Sequence, residues 1–343
     1  MNGPFRRKFF DAFGPERQPN EPITDRHRDL AFGLQTSIED VILHMVRDLA
    51  RKNPSRNLCL SGGVALNCVA NMRILEETEF ERVWIGPCAS DSGAPLGSAL
   101  WHYHQGLGCP RNFELTHPYM GAQYGNDDIV RVLCEFGLRF QYLSEANLWQ
   151  RLAQDLAGGR IVGWFQGRFE IGPRALGNRS ILADPRREDI KNVINDRIKH
   201  REPFRPFAPA VLVEQVSDFF DIDQPDPFMT LAPRVRPDKA QLIPAAVHFD
   251  GTSRIQTVDR EANPKFYGLI EAFQKITGVP VIINTSFNCH EPIVASPRDA
   301  VSCYLRTNMD ALALGNYYIL DRNTEAEQKA RDAFDAIRSR FIR

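Results

Sequence analysis

Four side chains that are cationic or can become so lie close together in the stretch IKHREPFRPFAPAVL, residues 198 to 212. They are Lys199, His200, Arg201 and Arg205, and an apolar run follows them directly. Like charges packed beside a core-forming segment repel one another unless an anion lies among them. The segment therefore predicts a binding site for an anionic group.

The excess of positive charge extends to the residues before this stretch. Residues 166 to 206 contain ten lysines and arginines against six carboxylates. Neighbouring acids in a predicted helix near 187 to 198 favour ordinary surface ion pairs for part of this set. The cations expected in such pairs are Arg186, Arg187, Lys191 and Arg197.

Arg174 lies in a different setting, the glycine-rich segment GRFEIGPRALGNRS. A planar guanidinium held on a rigid turn suits bidentate recognition of phosphate or carboxylate. Together with the opening stretch, this segment favours anion binding by Arg174, Lys199, Arg201 and Arg205.

A second segment offers neutral groups for the same site. If IKHREPF is extended before its prolines, Lys199 and Arg201 lie on one face by the period of two. In VIINTSFNCHEP an apolar strand leads into hydroxyl and amide groups, which can hold a phosphate or sugar without adding charge. They are Asn284, Ser286 and Asn288 at alternate positions, with Thr285 among them. We expect the two segments to converge around a nucleotide's phosphates.

A third stretch, HFDGTSRIQTV, carries polar residues at every second position around a glycine turn. They form a stripe too dense for an ordinary half-buried strand. Its members are His248, Asp250, Thr252, Arg254 and Gln256.

The earlier part of the chain contains a weaker signal for phosphate binding. In LCLSGGVALN, residues Ser61, Gly62 and Gly63 lie between a buried strand and a helix. Glycines let a phosphate approach the backbone, and the free amides at a helix start favour its charge. A tight turn from strand to helix would have the same pattern, so both interpretations stay open.

Asp91 lies in PCASDSGAPLGSAL, after a second short strand. Its carboxylate could cap a helix or act as an oxygen ligand to a metal. The chain contains no histidine pair at HxxxH spacing, and His102 and His104 point apart on a predicted helix.

The elements that must position these residues alternate between helices and strands. An amphipathic helix is predicted over about 25 to 51, after an irregular first twenty residues. Beyond a turn-rich boundary at 108 to 127, helices are predicted near 126–137, 145–157, 187–198, 265–277 and 297–306. β-rich stretches are predicted near 160–165, 207–213, 279–284 and 311–320, and a polar helix over 322–343. This order predicts two α/β domains, residues 1–115 and 116–343, the second with a twisted sheet.

The composition limits the classes of protein. Of 343 residues, 43% are hydrophobic and 25% charged, and the net charge is −1, so no global field favours nucleic acid or an acidic membrane. The seven cysteines are odd in number and form no CxxC pair, which favours reduced thiols. No signal peptide or membrane-spanning run is evident. We expect a cytoplasmic protein that binds neither nucleic acid nor membrane.

Six segments in register resemble those of the O-carbamoyltransferases that act on nodulation factors, tobramycin-type aminoglycosides and cephalosporins. The resemblance runs from about residue 25 to 321. Its segments are SGGVALNCVANMRI, PCASDSGAPLGSAL, GRFEIGPRALGNRSILADPR, KHREPFRPFAPAVL, HFDGTSRIQTV and NTSFNCHEPIVASPRDAVSCYLRTNMDALALGNYYI.

The resemblance implies an α/β protein with a partial actin-like lobe followed by a YrdC-like twisted-sheet domain. The second domain would make carbamoyl adenylate from carbamoyl phosphate and ATP, with Mg²⁺. The first would pass the carbamoyl group to a hydroxyl of a small metabolite or sugar, with Fe²⁺ or a similar divalent metal bound.

The resemblance also carries residue roles. Lys199, Arg201, Ser286 and Asn288 match the KxR and SxN elements of the synthase-type site. Phosphate or nucleotide contacts are implied for Arg168, Arg174, Arg205, Arg254 and Thr285. Ser61, Gly62, Gly63 and Asn67 match the nucleotide loop of the transferase domain, and Asp91 matches its metal-binding aspartate.

The chain departs from the family pattern in its first domain. The half of the actin-like domain that carries the paired metal-binding histidines is not matched, so the metal ligand set is incomplete. Three explanations stay open: a second polypeptide or a second copy of the chain supplies what is missing, the coding sequence is shortened, or the chain carries out only the adenylate-forming step. Two alternatives stay open, a non-catalytic nucleotide-binding subunit and, with less support, a tRNA threonylcarbamoylation factor.

Overall fold

The computed structural model describes residues 7–18, 21–320, 322 and 324–341, with the backbone alone for 333 and 336–341. The described chain is a mixed α/β protein, as predicted. It divides into two compact units, which differ from the predicted domains. The first contains the described residues up to Leu58 together with Met72–Val83, and the second contains Cys59–Asn71 and the described residues from Trp84 onward. The division at 115/116 and the actin-like and YrdC-like assignments stay predictions.

The N-terminal part is helical with a small sheet. The expected irregular start is wrong for part of its length, because α1 covers Arg7–Phe13; residues 1–6, 19 and 20 lie outside the described residues. The long helix predicted over 25–51 is confirmed as α2, Asp25–Lys52. Strands β1 (Asn57–Leu60) and β2 (Arg82–Ile85) form a two-stranded sheet. The remaining helices of this part are α3 (Cys68–Glu77) and α4 (Ala94–Trp101).

A mixed sheet of eight strands organises the rest of the chain, in the order β3-β10-β9-β4-β5-β8-β6-β7. β4 and β9 pair in parallel, as do β6 and β7, and the other neighbouring strands of this sheet pair antiparallel. The strands are β3 (Gln141–Tyr142), β4 (Val162–Phe165), β5 (Arg179–Ala183), β6 (Ala208–Leu212), β7 (Gln256–Val258), β8 (Val281–Ser286), β9 (Ala311–Leu314) and β10 (Tyr317–Ile319).

Helices cover both faces of this sheet. Successive strand residues point to opposite faces, so Ile181 and Ile283 join one apolar core while Leu182 and Ile282 join the other. A sheet covered on both faces reads as continuous apolar runs, which is why most of its strands were recognisable. The helices of this part are α5 (Asn126–Glu135), α6 (Glu145–Ala157), α7 (Ile190–Ile194), α8 (Val216–Phe219), α9 (Pro237–Ala240), α10 (Pro264–Thr277), α11 (Pro297–Arg306) and α12 (Thr324–Phe341).

The predictions near 126–137, 145–157, 265–277 and 297–306 are confirmed by α5, α6, α10 and α11. The polar terminal helix is confirmed as α12, although residues 323, 342 and 343 of that prediction lie outside the described residues. The β-rich stretch predicted over 311–320 is confirmed, and it forms two strands because Gly315 at φ +57° turns the chain into the β9–β10 hairpin. Strand β5 was not predicted at all, since RSILA follows a glycine-rich turn too closely to show a pattern of its own.

Candidate anion-binding site

Lys199 brings together the two segments that the sequence placed at one site. Its Nζ lies 2.6 Å from the carbonyl oxygen of Ser286 and 3.3 Å from the Oγ of that residue. The same Nζ lies 2.9 Å from the carbonyl oxygen of Asn288 and 2.8 Å from its Oδ1. The predicted convergence of the two segments is therefore present in the structure.

The backbone reaches this arrangement by a route that differs from the prediction. Lys199 ends a π-helical turn, Asn195–Lys199, that continues α7, and His200 then adopts the left-handed conformation with φ 45° and ψ 51°. The expectation of an extended IKHREPF with Lys199 and Arg201 on one face is wrong, because the helix runs on to Lys199. The left-handed residue turns the chain away from the helix axis and leaves the lysine pointing at the end of β8.

Lys199 is 4% exposed, and its surroundings disfavour its charge. Burial, with a smaller contribution from the charge of Arg201, lowers the pKa of its ammonium group from 10.5 to about 8. Four oxygen atoms within hydrogen-bonding distance favour the protonated form in return. The lysine is therefore charged at neutral pH and close to losing its proton under mildly alkaline conditions.

Ser286 and Asn288 are ordered by one another as well as by the lysine. The Oγ of Ser286 donates to Oδ1 of Asn288 at 2.7 Å, and Nδ2 of Asn288 donates to the carbonyl oxygen of Glu291 at 2.8 Å. Thr285 precedes Ser286 in β8 and pairs with Ile181 of β5. By the alternation of a strand, its side chain belongs to the opposite face from that of Ser286.

Two arginines near this pair of loops have no hydrogen-bonding or ionic partner among the residues that the structure describes. The Nε atoms of Arg174 and Arg254 are both buried without a hydrogen bond, and no carboxylate of the described chain pairs with either guanidinium. Burial, followed by repulsion from Arg254, lowers the pKa of Arg174 to about 10. Two unpaired cations held beside one another make a site that an anion would stabilise.

Arg201 joins this group of cations. Its Nε donates to Oδ1 of Asn195 at 2.8 Å, and its guanidinium lies 4.8 Å from the ring centroid of Phe207. Burial, then the charges of Arg205 and Arg254, lower its pKa. Arg205 is exposed and lies 3.4 Å from Glu202, a surface ion pair of small energetic weight.

Glu170 holds the glycine-rich loop that presents Arg174. Its buried Oε1 accepts backbone N–H bonds from Leu176 at 2.9 Å, Asn178 at 2.8 Å and Arg179 at 3.1 Å. Arg179 is itself buried and donates from Nη1 to the carbonyl oxygen of Gln166. The sequence did not single out Glu170, although an acid surrounded by arginines and glycines was the available signal.

Arg168 lines a different part of the molecule from Lys199 and Arg174. Its guanidinium lies 3.4 Å from the carbonyl oxygens of Met120 and Gly121. It lines a cavity of about 580 Å³ together with His117, Tyr119 and other residues, and neither Lys199 nor Arg174 lines that cavity. The structure therefore does not bring Arg168 together with the other expected phosphate contacts.

The cations expected to form surface pairs mostly do so. Arg186 pairs with Asp184 at 2.7 Å and Arg187 with Asp189 at 2.6 Å. Arg197 reaches the distant Asp310 at 3.0 Å. No ion pair of Lys191 is present among the described residues. These contacts separate the paired surface arginines from the unpaired Arg174 and Arg254.

The loop with the two glycines lies beside a second cavity. Ser61, Gly62 and Asp91 line a space of about 780 Å³. Gly62 adopts φ +100°, which suits glycine, and donates its N–H to the carbonyl oxygen of Ala89 at 2.6 Å. Gly63 begins a short 3₁₀ turn, Gly63–Leu66, and Oδ1 of Asn67 accepts from the N–H of Ala70 at 3.2 Å. The side chain of Asn67 thus contacts the first turn of α3.

The start of α3 lies close to the unpaired arginines. The thiol of Cys68 is buried, which raises its pKa, and the charges of Arg254 and Arg174 act on it in the opposite direction. Asn71 donates from Nδ2 to the carbonyl oxygens of Ala65 at 2.8 Å and Thr230 at 2.9 Å. The glycine loop and the arginines are thereby held within one unit of the fold.

Asp91 does not make a metal site with its neighbours. It is exposed at the start of a 3₁₀ turn, Asp91–Gly93. In the described ranges, no group of three or more histidine, cysteine, aspartate or glutamate side chains could hold a metal ion. A lone carboxylate does not supply the ligand set that a divalent iron requires. The residues present therefore do not fit a resident metal.

All seven cysteines are free thiols, as expected from their number and spacing. Within the described part of the chain, no helix combines the length and the apolar character needed to cross a membrane.

Two family models match the chain. One describes the C-terminus of carbamoyltransferases and matches residues 153–321, and the other describes their N-terminus and matches residues 5–100. Together the two matches cover well over half of the sequence.

Curated relatives match nearly the whole chain. An uncharacterized protein of Synechocystis is 42% identical over 96% of this chain and 58% of its own length. Nodulation protein NolNO of Sinorhizobium fredii is 40% identical over 96% of this chain and 50% of its own length. The 3'-hydroxymethylcephem-O-carbamoyltransferase of Amycolatopsis lactamdurans is 38% identical over 67% of this chain and 42% of its own length. The chain thus spans about half the length of the curated relatives it matches.

A solved structure of full-length HypF in the phosphate- and nucleotide-bound form covers 54% of this chain and 23% of its own. The TM-score is 0.36 at 20% identity, a likeness too low to support an argument about fold.

Proposed function

Because the chain belongs to the carbamoyltransferase family, we propose that it forms carbamoyl adenylate from carbamoyl phosphate and ATP at the arginine-lined site. A hydroxyl oxygen of a small metabolite or sugar then bonds to the carbamoyl carbon, the bond from that carbon to the AMP oxygen breaks, and AMP and the hydroxyl proton are released. An acceptor of this kind is named for one relative, the cephem O-carbamoyltransferase. The identity of the acceptor for this chain would depend on residues beyond the anion site.

One observation carries the proposal, the unpaired state of Arg174 and Arg254 near the Lys199 loops. Arg201 connects the two groups, since its charge acts on Lys199 and the charge of Arg254 acts on Arg201. Protein interiors rarely hold unpaired like charges together, so a bound polyanion supplies the missing partner. A triphosphate, with its accompanying Mg²⁺, and carbamoyl phosphate both meet this requirement.

The chemistry places several negative charges in one small volume. Carbamoyl phosphate reacts with water to give carbamate and inorganic phosphate. A carbamate oxygen then forms a bond to the α-phosphorus of ATP, the bond from that phosphorus to the bridging oxygen breaks, and pyrophosphate leaves. Fixed cations lower the barrier by offsetting repulsion as charge moves to the leaving group.

The residues around the site have separate tasks in this proposal. Arg174, Arg201 and Arg254 bind the phosphates through their guanidinium groups. Lys199 holds Ser286 and Asn288 in place and adds its own positive charge. The hydroxyl of Ser286 and the amide of Asn288 orient the nucleotide without adding charge.

Transfer of the carbamoyl group to an acceptor requires groups that the described residues of this chain do not supply. The lone Asp91 does not make a metal site, and large apolar side chains of the N-terminal third are exposed, among them Leu34, Met45 and Trp101. We propose that a second polypeptide or a second copy of the chain covers this surface. The alternative function, a non-catalytic nucleotide-binding subunit, follows from the same observation. The resemblance to tRNA threonylcarbamoylation factors has no structural feature in its favour.

The test is pyrophosphate release by the pure protein. We expect release that requires ATP and carbamoyl phosphate together, with carbamoyl adenylate detectable by mass spectrometry. Lys199→Met should remove the activity, and Lys275→Met, which changes an exposed lysine paired with Glu271, should leave it intact. No release by a folded sample would favour the subunit without catalytic activity.

A further inference from the structure

His248 lies in a tight turn just before Arg254. The N–H of His248 donates to the carbonyl oxygen of Thr252 at 2.8 Å, and the N–H of Gly251 donates to the carbonyl oxygen of His248 at 3.1 Å. Thr252 bonds Asp250 twice, from Oγ1 at 2.7 Å and from its backbone N–H at 3.0 Å. Nδ1 of His248 lies 3.0 Å from Oγ1 of Thr252.

These contacts decide which ring nitrogen of His248 carries the proton. A threonine hydroxyl has one hydrogen, and here that hydrogen goes to the carboxylate of Asp250. Burial raises the pKa of Asp250, but the two bonds from Thr252 outweigh it and keep that pKa below the ordinary value. Nδ1 of His248 must therefore be the donor to Oγ1. In the neutral ring Nε2 is then a hydrogen-bond acceptor.

Nε2 of His248, the acceptor that results, has no hydrogen-bond partner among the described residues, and neither has the Nε–H donor of Arg254. Nε2 of His248 and Nε of Arg254 are both buried without a hydrogen bond. Burial is the main reason that the pKa of His248 is lowered, and the charge of Arg254 contributes to the same effect. One unsatisfied acceptor and one unsatisfied donor thus belong to side chains that influence one another. Buried polar atoms without partners are costly, so a state in which they pair is favoured.

We propose that His248 is a positioning residue for Arg254 in the anion-bound protein. When a phosphate group draws the guanidinium inward, the Nε–H of Arg254 donates to Nε2 of His248, and its terminal nitrogens face the anion. The relay from Asp250 through Thr252 keeps the ring in the tautomer that can accept this bond. The inference rests on the proposed function, because it requires the anion site.

Protonation of His248 would reverse this effect. A protonated ring has N–H groups on both sides, so it would present a donor to the donor of Arg254 and add a like charge. The other titratable groups acting on His248 are Asp250, which favours its protonation, and Lys191, which opposes it. Anion affinity should therefore fall as His248 becomes protonated, below about pH 6.5.

The experiment measures pyrophosphate binding to the full chain by calorimetry between about pH 5.5 and about pH 7.5. His248→Leu should weaken binding roughly tenfold at the upper pH, as expected for loss of a hydrogen bond to a charged group. His248→Gln keeps an acceptor near the position of Nε2 and does not titrate. It should bind within about threefold of the natural protein at the upper pH and lose less affinity on acidification. Ratios between proteins at each pH cancel the ionisation of pyrophosphate itself.

A double-mutant cycle tests whether His248 acts through Arg254. In the background Arg254→Ala, the change His248→Leu should have little further effect. Equal binding by His248→Leu and the natural protein would overturn the inference, as would a tenfold loss that persists in the Arg254→Ala background. In either case pyrophosphate binding by the natural protein would leave the proposed function standing. A natural protein that binds no pyrophosphate would contradict the proposed function itself, and the inference with it.

Discussion

At the scale of single residues, Lys199 combines a structural task with a functional one. Its buried ammonium group connects two loops through four oxygen atoms, and burial holds its pKa at about 8. Because the unfolded chain binds this proton more tightly, the stability contributed by Lys199 rises as pH increases from about 8 towards 10.5. Its contribution to anion binding changes in the opposite direction, since the charge is lost over the same range.

A pH dependence of anion binding follows from this pKa. Pyrophosphate affinity of the natural protein should fall as pH rises through about 8, because Lys199 loses its charge. Lys199→Met should bind pyrophosphate weakly at every pH. The affinity of the natural protein divided by that of the variant should therefore decrease steadily as the pH rises. Calorimetric titrations from about pH 7 to about pH 9, one pH unit on either side of the pKa of Lys199, measure this ratio. A constant ratio would show that Lys199 does not sense the anion.

Replacing Arg174 should raise the stability of the free protein and weaken its binding of pyrophosphate. Replacing Arg174 by methionine removes a half-buried cation that Arg254 repels and that has no carboxylate partner among the described residues, so the free protein should gain roughly 1 kcal/mol of unfolding free energy. The same change should remove most of the thermal stabilisation that pyrophosphate gives the natural protein.

Thermal unfolding with and without pyrophosphate checks both parts of the Arg174 prediction. Arg298→Met is the matched control, because Arg298 forms an exposed pair with Glu135. A less stable Arg174→Met that still responds fully to pyrophosphate would contradict the anion site.

The sequence predicted which residues meet at one site better than it predicted how the backbone places them. The charge pattern of IKHREPF and the alternate polar groups of NTSFN were sufficient to place Lys199, Ser286 and Asn288 at one site. Arg168 could not be separated from Arg174 in this way, because both lie in the same glycine-rich segment. Only the fold shows that Arg168 faces the carbonyl oxygens of Met120 and Gly121.

At the scale of elements, the loop held by Glu170 determines where Arg174 points. Glu170→Ala would leave three buried N–H groups without an acceptor and should cost roughly 2 kcal/mol or more. Glu170→Gln keeps the accepting oxygen and should cost clearly less. Urea denaturation at constant pH compares the two variants. Equal losses of stability would show that the charge of Glu170, and not its acceptor, is what the loop requires.

The turn at His200 is a second element with a specific requirement. Its φ of 45° and ψ of 51° lie in the left-handed region, which glycine adopts freely and β-branched residues resist. His200→Gly should retain pyrophosphate affinity, whereas His200→Val should lose roughly 1 to 2 kcal/mol of stability. Thermal unfolding distinguishes them. Equal stability of the two variants would mean that the backbone relaxes without cost.

Most elements of the sheet domain could be predicted because their patterns are local. The helices α5, α6, α10 and α11 have clear apolar periods, and the buried strands read as apolar runs. The π-helical turn at Asn195–Lys199 could not be predicted, because its sequence looks like the end of an ordinary helix followed by an extended segment. Strand β5 was missed because RSILA closely follows a glycine-rich turn and because one of the strands it pairs with, β8, is distant in sequence.

At the scale of the whole molecule, exposed apolar side chains concentrate at one end of the sequence. Of the eighteen large hydrophobic residues exposed in the described part, twelve lie at or before Phe113, which is about a third of the chain. On α2, Leu34, Val41, Met45 and Leu49 recur at helical spacing and are exposed. Such a stripe is typical of a surface that another polypeptide covers.

This surface yields a prediction about association. Val41→Glu together with Met45→Lys should reduce self-association or dye binding at apolar surface, without lowering the melting temperature. Pyrophosphate binding should be unchanged, because both residues belong to the first unit. Sedimentation and dye fluorescence give the measurement. A lower melting temperature would show that the stripe packs within the chain itself.

The most direct test of the central claim is a crystal structure of the protein with ATP bound. We predict that the phosphates lie within about 3 Å of the guanidinium groups of Arg174, Arg201 and Arg254, with Ser286 and Asn288 beside the nucleotide. Phosphates bound away from these residues, with Arg174 and Arg254 still unpaired, would contradict the account.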